Sequence, residues 1–242
     1  MDGPDGVNAA FAEARRWARD GRILIEGYVE GIEIGAQGFS VDGRCVRVWV
    51  HDDMVSSPPY MIPTGHAYPP SLEPAVLAAA QEACARAVDA LGIPSGPTNI
   101  DLILRTDGVP MIIEIGARIG ATCLPELTTY FTGTDWVAAS IQAALGETPD
   151  LTPTAARPVA AYILEAPADG TLAAWTFPEA LHDAPGLVEW EVTAAIGEEV
   201  NRLRKGTDRI GKVMATGETL EEAMARAQAF REAFVFDVEA IP

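Results

Sequence analysis

A predicted β-hairpin at residues 99–118 constrains the fold of this chain more than any other segment. Two apolar runs flank Asp107-Gly108, a dipeptide that is typical of a tight turn between antiparallel strands. A two-residue turn there pairs Asp101 with Glu114 on the same face of the hairpin. Two carboxylates directly opposite each other repel, so this pairing predicts a cation between them.

The rest of that face carries residues that suit a phosphate group. Side chains alternate between the two faces of a strand, which places Gly116 and Arg118 on the side of Glu114 and the Ile and Leu side chains on the other side. Hard divalent cations prefer carboxylate oxygens, and a guanidinium group binds phosphate through two parallel hydrogen bonds. The hairpin therefore predicts a site for a divalent cation with a phosphate beside it.

The overall charge limits the classes of partner. The 242 residues include 35 acidic and 17 basic side chains, which gives a formal net charge of −18. Such a charge argues against nucleic acid or an anionic membrane as the main partner. A nucleotide substrate is compatible with it, because a local cationic pocket is sufficient for a small anion. The hydrophobic content of 48% and the charged content of 21% are typical of a soluble globular protein.

Cysteine usage and the length of the apolar runs indicate the compartment. Cys45, Cys84 and Cys123 are far apart and odd in number, which favours buried thiols in a reducing compartment over a disulfide framework or a zinc site. No apolar run reaches the roughly 18 residues of a membrane-spanning helix. No basic and apolar signal segment opens the chain. These features predict a cytoplasmic protein.

The periodicity of apolar residues predicts an α/β, or α+β, fold in which helices pack on mixed antiparallel sheets. A stretch with three prolines at 147–158 is a predicted linker, so we expect one domain at 1–154 and a smaller α/β domain at 155–242. Besides the hairpin, helices are predicted at 8–20, 72–91, 134–146 and 219–233, and strands at 22–29, 33–41, 44–50, 159–165, 188–193 and 212–216.

Residues 52–71 are predicted to form a long polar loop with five prolines. A histidine on a loop is more often a surface residue than a functional one, so His66 is interpreted as a surface residue, with a role toward substrate as the minority interpretation. His51-Asp52-Asp53 has the composition of a metal site. Adjacent residues on a loop seldom all face one ion, and we favour a role without a metal for these three residues.

Four motifs, in order along nearly the whole chain, resemble the ATP-grasp superfamily. The resemblance is strongest to the ligases that join amino acids or related carboxylates to amines. It implies the C-terminal part of an ATP-grasp domain at 1–154, followed by a C-terminal accessory domain of the amino-acid-ligase type at 155–242. The motifs are Leu24–Glu33, Thr64–Leu72, the hairpin with its extension to Gly120, and Gly206–Gly217.

The first motif implies the nucleotide contacts. In the family, a strand and hinge of this kind hold adenine, and an acid that follows binds the ribose. The resemblance implies that Glu26, Tyr28 and Val29 line the adenine pocket. It likewise implies that Glu33 bonds the ribose hydroxyls, and that the cofactors are ATP and Mg²⁺.

The hairpin motif implies the contacts to the phosphates. By resemblance, Asp101 and Glu114 would hold Mg²⁺ on the triphosphate, and Arg118 would face the transferring phosphoryl group or the acyl phosphate. The family usually has Asn two residues after the second acid, where this chain has Gly116. Asn99 lies directly opposite Gly116 in the predicted register, and we expect its amide oxygen to replace part of the missing ligand set.

The N-terminal region departs from the family pattern. An ATP-grasp site lies between two subdomains, the first of which carries phosphate-binding lysines, whereas residues 1–204 contain no Lys. We therefore expect a portion of a longer enzyme, a chain whose partner supplies the missing half, or a protein that does not catalyse. An open cleft also predicts a homodimer, because large apolar faces are rarely left in contact with water.

The resemblance predicts an ATP- and Mg²⁺-dependent ligase, or the C-terminal portion of one. It would join a carboxylate, such as an amino acid, to an amine through an acyl phosphate, a reaction that needs positioning and charge neutralisation more than covalent help. One alternative is a non-catalytic nucleotide-binding or scaffolding protein derived from such a ligase. Another is a biotin-carboxylase-like or purine-pathway enzyme, although the Gly-x-x-Arg-x-Gly segment at 206–211 favours the amino-acid branch.

Overall fold

The structure is a computed structural model that describes residues 6–57 and 60–240, and it divides into two compact units. In its described part, the first unit, Met1–Glu30, contains helix α1 (Val7–Trp17). The predicted strand at 22–29 is wrong, because these residues form neither helix nor strand. A strand needs a neighbour that pairs its backbone N–H and C=O groups, and the described residues provide none for this segment.

The second unit, Gly31–Pro242, is built on two antiparallel sheets. Its strands are β1 (Gly31–Val41), β2 (Arg44–Val55), β3 (Pro63–Tyr68), β4 (Gly96–Arg105), β5 (Pro110–Gly116), β6 (Val159–Glu165), β7 (Gly170–Thr176), β8 (Leu187–Val192), β9 (Glu199–Val200), β10 (Arg209–Thr216) and β11 (Val235–Glu239). The large sheet has the order β5-β4-β1-β2-β3-β6-β10-β8, and the small sheet has the order β11-β7-β9. Together with four helices, these sheets confirm the predicted α/β fold with antiparallel sheets.

In its described residues, this unit has four α-helices: α2 (Pro74–Ala90), α3 (Leu124–Thr132), α4 (Trp136–Ala144) and α5 (Leu220–Glu232). None of the helices in the described part of the chain is both long enough and apolar enough to span a bilayer.

The predicted domain boundary at 154/155 lies between α4 and β6. Strands β3 and β6 pair with each other, so strands from both sides of that boundary belong to one sheet.

Strand alternation gives β1, β2 and β4 one apolar face and an opposite face that carries polar residues together with Phe39 and Trp49. The apolar face packs against α2, and its core consists of Ile34, Ala36, Val50, Ile100 and Leu102 with Ala80, Cys84 and Val88 of the helix. The residues between these positions along each strand point to the opposite face. That opposite face carries the polar residues described below.

The hairpin pairs Asp101 with Glu114, as predicted, although its turn differs from the prediction. Leu104 pairs with Pro110, and the N–H of Arg105 bonds the carbonyl of Val109, so the turn has three residues instead of two. A longer turn alone would shift the register by one residue. A bulge next to Asp101 shifts it back, and the two carboxylates face each other again.

The predicted loop at 52–71 is largely wrong. Strand β2 continues to Val55, and residues 63–68 form β3, which pairs with β2 on one side and β6 on the other. Prolines suggested a loop, but Pro63 is the first residue of β3 and Pro69 follows its last residue. Proline is compatible with a strand at such end positions.

Candidate functional site

The candidate site is a polar row that crosses four neighbouring strands of the large sheet. Glu114 pairs with Asp101, Asp101 pairs with Gly35, and Gly35 pairs with His51. These residues therefore lie side by side on the face opposite α2. A cleft of about 320 Å³ opens on this face, and its polar lining residues are Glu33, His51, Asp53, His66, Asn99, Asp101, Arg118 and Thr122.

The carboxylates of this cleft destabilise one another in their charged forms. Asp101 keeps solvent exposure at the cleft, but partial desolvation raises its pKa, and the negative charges of Asp53 and Glu114 raise it further. Burial likewise raises the pKa of Glu33, with contributions from Asp53 and Asp101. A divalent cation would remove this repulsion. The donor set, carboxylates on facing strands, is the one that Mg²⁺ prefers, so the residues present fit the ion that the sequence predicts.

Arg118 lines the same cleft as Asp101. Its side chain covers Gly116, since a Cβ at that glycine would lie 3.4 Å from Cγ of Arg118. Nη1 of Arg118 donates to the carbonyl of Ile119 at 2.9 Å, and the side chain is otherwise exposed at the edge of the cleft. This guanidinium can accept an anionic group that approaches from the cleft.

Asn99 is placed between the acidic pair and the core. Its Oδ1 accepts a hydrogen bond from Nε2 of Gln37 at 2.8 Å, and its Nδ2 donates to Oδ1 of Asp101 at 3.1 Å. The amide oxygen that was expected to act as a cation ligand is therefore engaged by Gln37. To bind the cation, this oxygen would have to give up its hydrogen bond with Gln37.

Two buried histidines share the carboxylate of Asp53 at the other end of the row. Nδ1 of His51 lies 2.8 Å from Oδ1 of Asp53, and Nδ1 of His66 contacts the same oxygen. His51 and His66 are only 2% and 3% exposed. Burial alone would raise the pKa of Asp53, but the charges and hydrogen bonds of the two histidines outweigh it and hold that pKa well below its usual value.

The prediction of a surface location for His66 is wrong, and the sequence analysis missed this cluster. His51 and Asp53 are two residues apart on β2, so they share a face, whereas Asp52 points away and accepts hydrogen bonds from the N–H of Ser71. The short run Thr64–Tyr68 between prolines was the available signal for β3. Its pairing with β2 brings His66 opposite Asp53.

Two family models match the sequence. Residues 8–126 match the model of the ATP-grasp domain, and residues 162–239 match the model of the L-amino acid ligase C-terminal domain 2. The chain belongs to the ATP-grasp superfamily. The family predicted from the four sequence motifs is thereby confirmed.

Several solved structures share this ATP-grasp fold. Phosphoribosylglycinamide synthetase from Anaerococcus prevotii matches 98% of the chain with a TM-score of 0.80 and 23% identity. L-amino acid ligase from Bacillus licheniformis matches 88% with a TM-score of 0.77 and 21% identity. The biotin carboxylase domain of 2-oxoglutarate carboxylase from Hydrogenobacter thermophilus, in complex with MgADP, ADP and bicarbonate, matches 97% with a TM-score of 0.77 and 19% identity. The present chain spans only 61%, 55% and 52% of these three chains.

The residues expected to contact adenine belong to the first unit of this ATP-grasp chain. Glu26 and Tyr28 are exposed, and Val29 is partly buried. Their role at adenine stays a prediction. Glu33, by contrast, is in β1 and lines the cleft together with Asp101.

Gly35 provides the space into which the histidine cluster packs. A Cβ at this position would lie 2.2 Å from Cε1 of His51 and 2.9 Å from Oδ2 of Asp53. We expect Gly35→Ala to destabilise the fold by about 1–3 kcal/mol, the usual cost of overpacking. Urea denaturation measures this loss. The control is Gly206→Ala, where a Cβ meets no atom of the described residues within 4 Å. Equal losses of stability in the two variants would contradict the prediction.

Asp101→Asn should stabilise the cation-free protein at neutral pH. The raised pKa of Asp101 means that its ionised form is less favourable in the folded state, so stability is lost as the pH rises from the ordinary value of 3.8 through the raised one. Removing the charge should raise the melting temperature by about 1–3 °C at pH 7, since facing like charges cost about 0.2–1 kcal/mol.

The gain from Asp101→Asn should fade below pH 4, where the native carboxyl is protonated as well. Thermal unfolding in EDTA across this pH range measures it. A lower melting temperature at neutral pH, or a gain of the same size at every pH, would contradict the prediction.

Proposed function

We propose that this chain forms one wall of the active site of an ATP-dependent carboxylate–amine ligase, with Asp101 and Glu114 as the residues that hold Mg²⁺. The observation that carries the proposal is the direct pairing of these two acids across β4 and β5 in a chain of the ATP-grasp family. Such a pair is unfavourable without a cation between its members. When bound, the ion would neutralise the charge of the nucleotide phosphates.

We assign Arg118 and Glu33, which line the cleft, to contacts with the transferred group and with the nucleotide. In the proposed reaction, an oxygen of the substrate carboxylate attacks the γ-phosphorus of ATP, and ADP leaves. The amine nitrogen then attacks the acyl carbon, phosphate leaves with the C–O bond electrons, and the nitrogen loses a proton. Arg118, exposed at the edge of the cleft, would bind the transferring phosphoryl group or the acyl phosphate, and Glu33 would bind the ribose hydroxyls.

The C-terminal region favours amino acids as substrates. Residues 162–239 match a domain model of the L-amino acid ligases, which makes this branch a better candidate than the biotin-carboxylase-like or purine-pathway branches. We propose that the carboxylate substrate is an amino acid. We leave the amine open, because none of the contacts described above distinguishes one amine from another.

The lysines that bind phosphate in ATP-grasp sites would come from a further segment or from a partner chain. The two lysines of the sequence are Lys205 and Lys212. Lys212 is held by Glu126 and Glu189 at 2.8 Å each, and these hydrogen bonds outweigh its burial and raise its pKa. We propose that this further segment or partner chain completes the cleft.

Release of ADP tests this function. The chain, with and without the protein encoded next to it, is incubated with MgATP, a mixture of amino acids and a mixture of amines. ADP formation that requires the amino acids would support a ligase, and omission of the other amines shows whether an amino acid also serves as the amine. Binding of MgATP without ADP formation under any combination would favour the alternative, a non-catalytic nucleotide-binding protein.

A further inference from the structure

A series of buried amide groups leads from the core of the second unit to Asp101. Gln37 is fully buried, and Asn99 is 8% exposed. Nε2 of Gln37 donates to Oδ1 of Asn99, and Nδ2 of Asn99 donates to Oδ1 of Asp101. Gln37 pairs with Asn99 across β1 and β4, and Asn99 is two residues from Asp101, so the three side chains share one face.

The backbone fixes the direction of these hydrogen bonds. Nε2 of Gln37 also donates to the carbonyl of Ala36 at 3.2 Å. If the Gln37 amide were reversed, its oxygen would face this carbonyl. If Asn99 alone were reversed, its NH₂ group would face that of Gln37, and its oxygen would face the carboxylate of Asp101. Asn99 therefore presents a donor to Asp101 and keeps its oxygen toward Gln37.

Two further features indicate that the amide pair does more than fill space. Oε1 of Gln37 is buried without a hydrogen-bond partner among the described residues, which is unfavourable and therefore unusual in a core. Gly120 leaves the room for this oxygen, because a Cβ there would lie 2.6 Å from it. Gly116, the residue opposite Asn99, has no side chain that could hold Asp101 from the other strand.

We propose that Gln37 and Asn99 are positioning residues that hold the carboxylate of Asp101 toward Glu114 and the cation site. This inference rests on the function proposed above, in which Asp101 is a cation ligand. Asp53 and Glu114 both repel the Asp101 carboxylate, and without a donor on its own strand that carboxylate would turn toward solvent. Asn99 thus acts through Asp101, because the Nδ2 of Asn99 donates a hydrogen bond to that carboxylate. Gln37 holds the Asn99 amide in the required orientation.

Equilibrium binding of Mn²⁺, followed by electron paramagnetic resonance, tests the inference without requiring activity. Gln37→Met removes the donor at similar volume, and Asn99→Ala removes the link. Each should weaken Mn²⁺ binding about 10-fold, the lower end of the effect of residues that orient metal ligands. The double variant should bind no worse than Asn99→Ala, because Gln37 acts only through Asn99.

Thr98→Val is the matched control. Thr98 is also fully buried, and its hydroxyl has no hydrogen-bond partner in the part of the chain that the structure describes, but as the neighbour of Asn99 on β4 it points to the other face of the sheet. This variant should bind Mn²⁺ as the wild type does. An equal loss in Thr98→Val, or additive losses in the double variant, would overturn the inference by showing that damaged packing is the cause.

The same measurement separates positioning from direct ligation by the Asn99 oxygen. If that oxygen were a ligand, Gln37→Met would free it, and the Mn²⁺ affinity would stay unchanged or increase, which would overturn the positioning role. If the wild-type chain bound no Mn²⁺, the proposed cation site itself would be refuted. Failure of the inference and failure of the proposed function therefore give different results.

Discussion

Glu114→Gln is expected to lower the affinity of the chain for Mn²⁺ at least about 100-fold, measured by electron paramagnetic resonance in the presence of an ATP analogue. Even residues that only orient metal ligands contribute about 10–100-fold to metal affinity, so the loss of one of two facing carboxylates should cost more. The amide keeps the shape of the side chain but lacks the charge that neutralises the cation. The fold should be retained, because Glu114 is on the edge strand β5 and exposed.

The control for Glu114→Gln is Asp107→Asn in the turn of the same hairpin. Asp107 is exposed and pairs with Arg105, away from the cleft. Its substitution removes one negative charge from the same element and should leave the Mn²⁺ affinity at the wild-type value. If both variants lost affinity equally, general attraction of cations to an acidic protein would explain the binding, and the facing pair would have no special role.

The second large effect is expected from Asp53→Ala, which should reduce the free energy of unfolding by about 2–6 kcal/mol at neutral pH. An ionised carboxylate only accepts hydrogen bonds, so Nδ1 of His51 and Nδ1 of His66 both donate to Asp53. The alanine leaves two buried donors without an acceptor, at about 1–3 kcal/mol each. The midpoint and slope of urea denaturation measure the loss.

Asp52→Asn is the matched control for Asp53→Ala. Asp52 immediately precedes Asp53 on β2, but its side chain lies on the other face. It accepts hydrogen bonds from the N–H of Ser71, and an amide oxygen can keep that contact. We expect a change of less than about 1 kcal/mol. A loss of similar size in both variants would show that the shared carboxylate does not hold the histidine cluster together.

Sequence reasoning predicted the acidic pair because the register of a hairpin is a local property. Apolar alternation and Asp107-Gly108 were sufficient to place Asp101 opposite Glu114. The resemblance of the surrounding motifs to the ATP-grasp family then predicted that this pair holds Mg²⁺ on a nucleotide. The prediction succeeded partly by compensation, since the three-residue turn and the bulge beside Asp101 shift the register in opposite directions. A bulge depends on twist and side-chain fit between strands, which the hairpin sequence alone does not reveal.

The histidine cluster could not be predicted in the same way. It depends on the pairing of β2 with β3, two strands separated by a segment rich in proline. Proline and polar residues predicted a loop, and only the position of β3 between β2 and β6 overrides that local preference. The hydrogen bond from Gln37 to Asn99 could not be predicted from local sequence either, because it joins residues 62 positions apart.

The most direct test of the central claim is calorimetric titration of a nonhydrolysable ATP analogue into the wild-type chain, alone and with the protein encoded next to it. The account predicts saturable binding in Mg²⁺ that disappears in EDTA and in the double variant Asp101→Asn, Glu114→Gln. Binding of equal strength in EDTA, or no binding by the chain in either setting, would contradict the claim that this sheet face is one wall of a metal–nucleotide site.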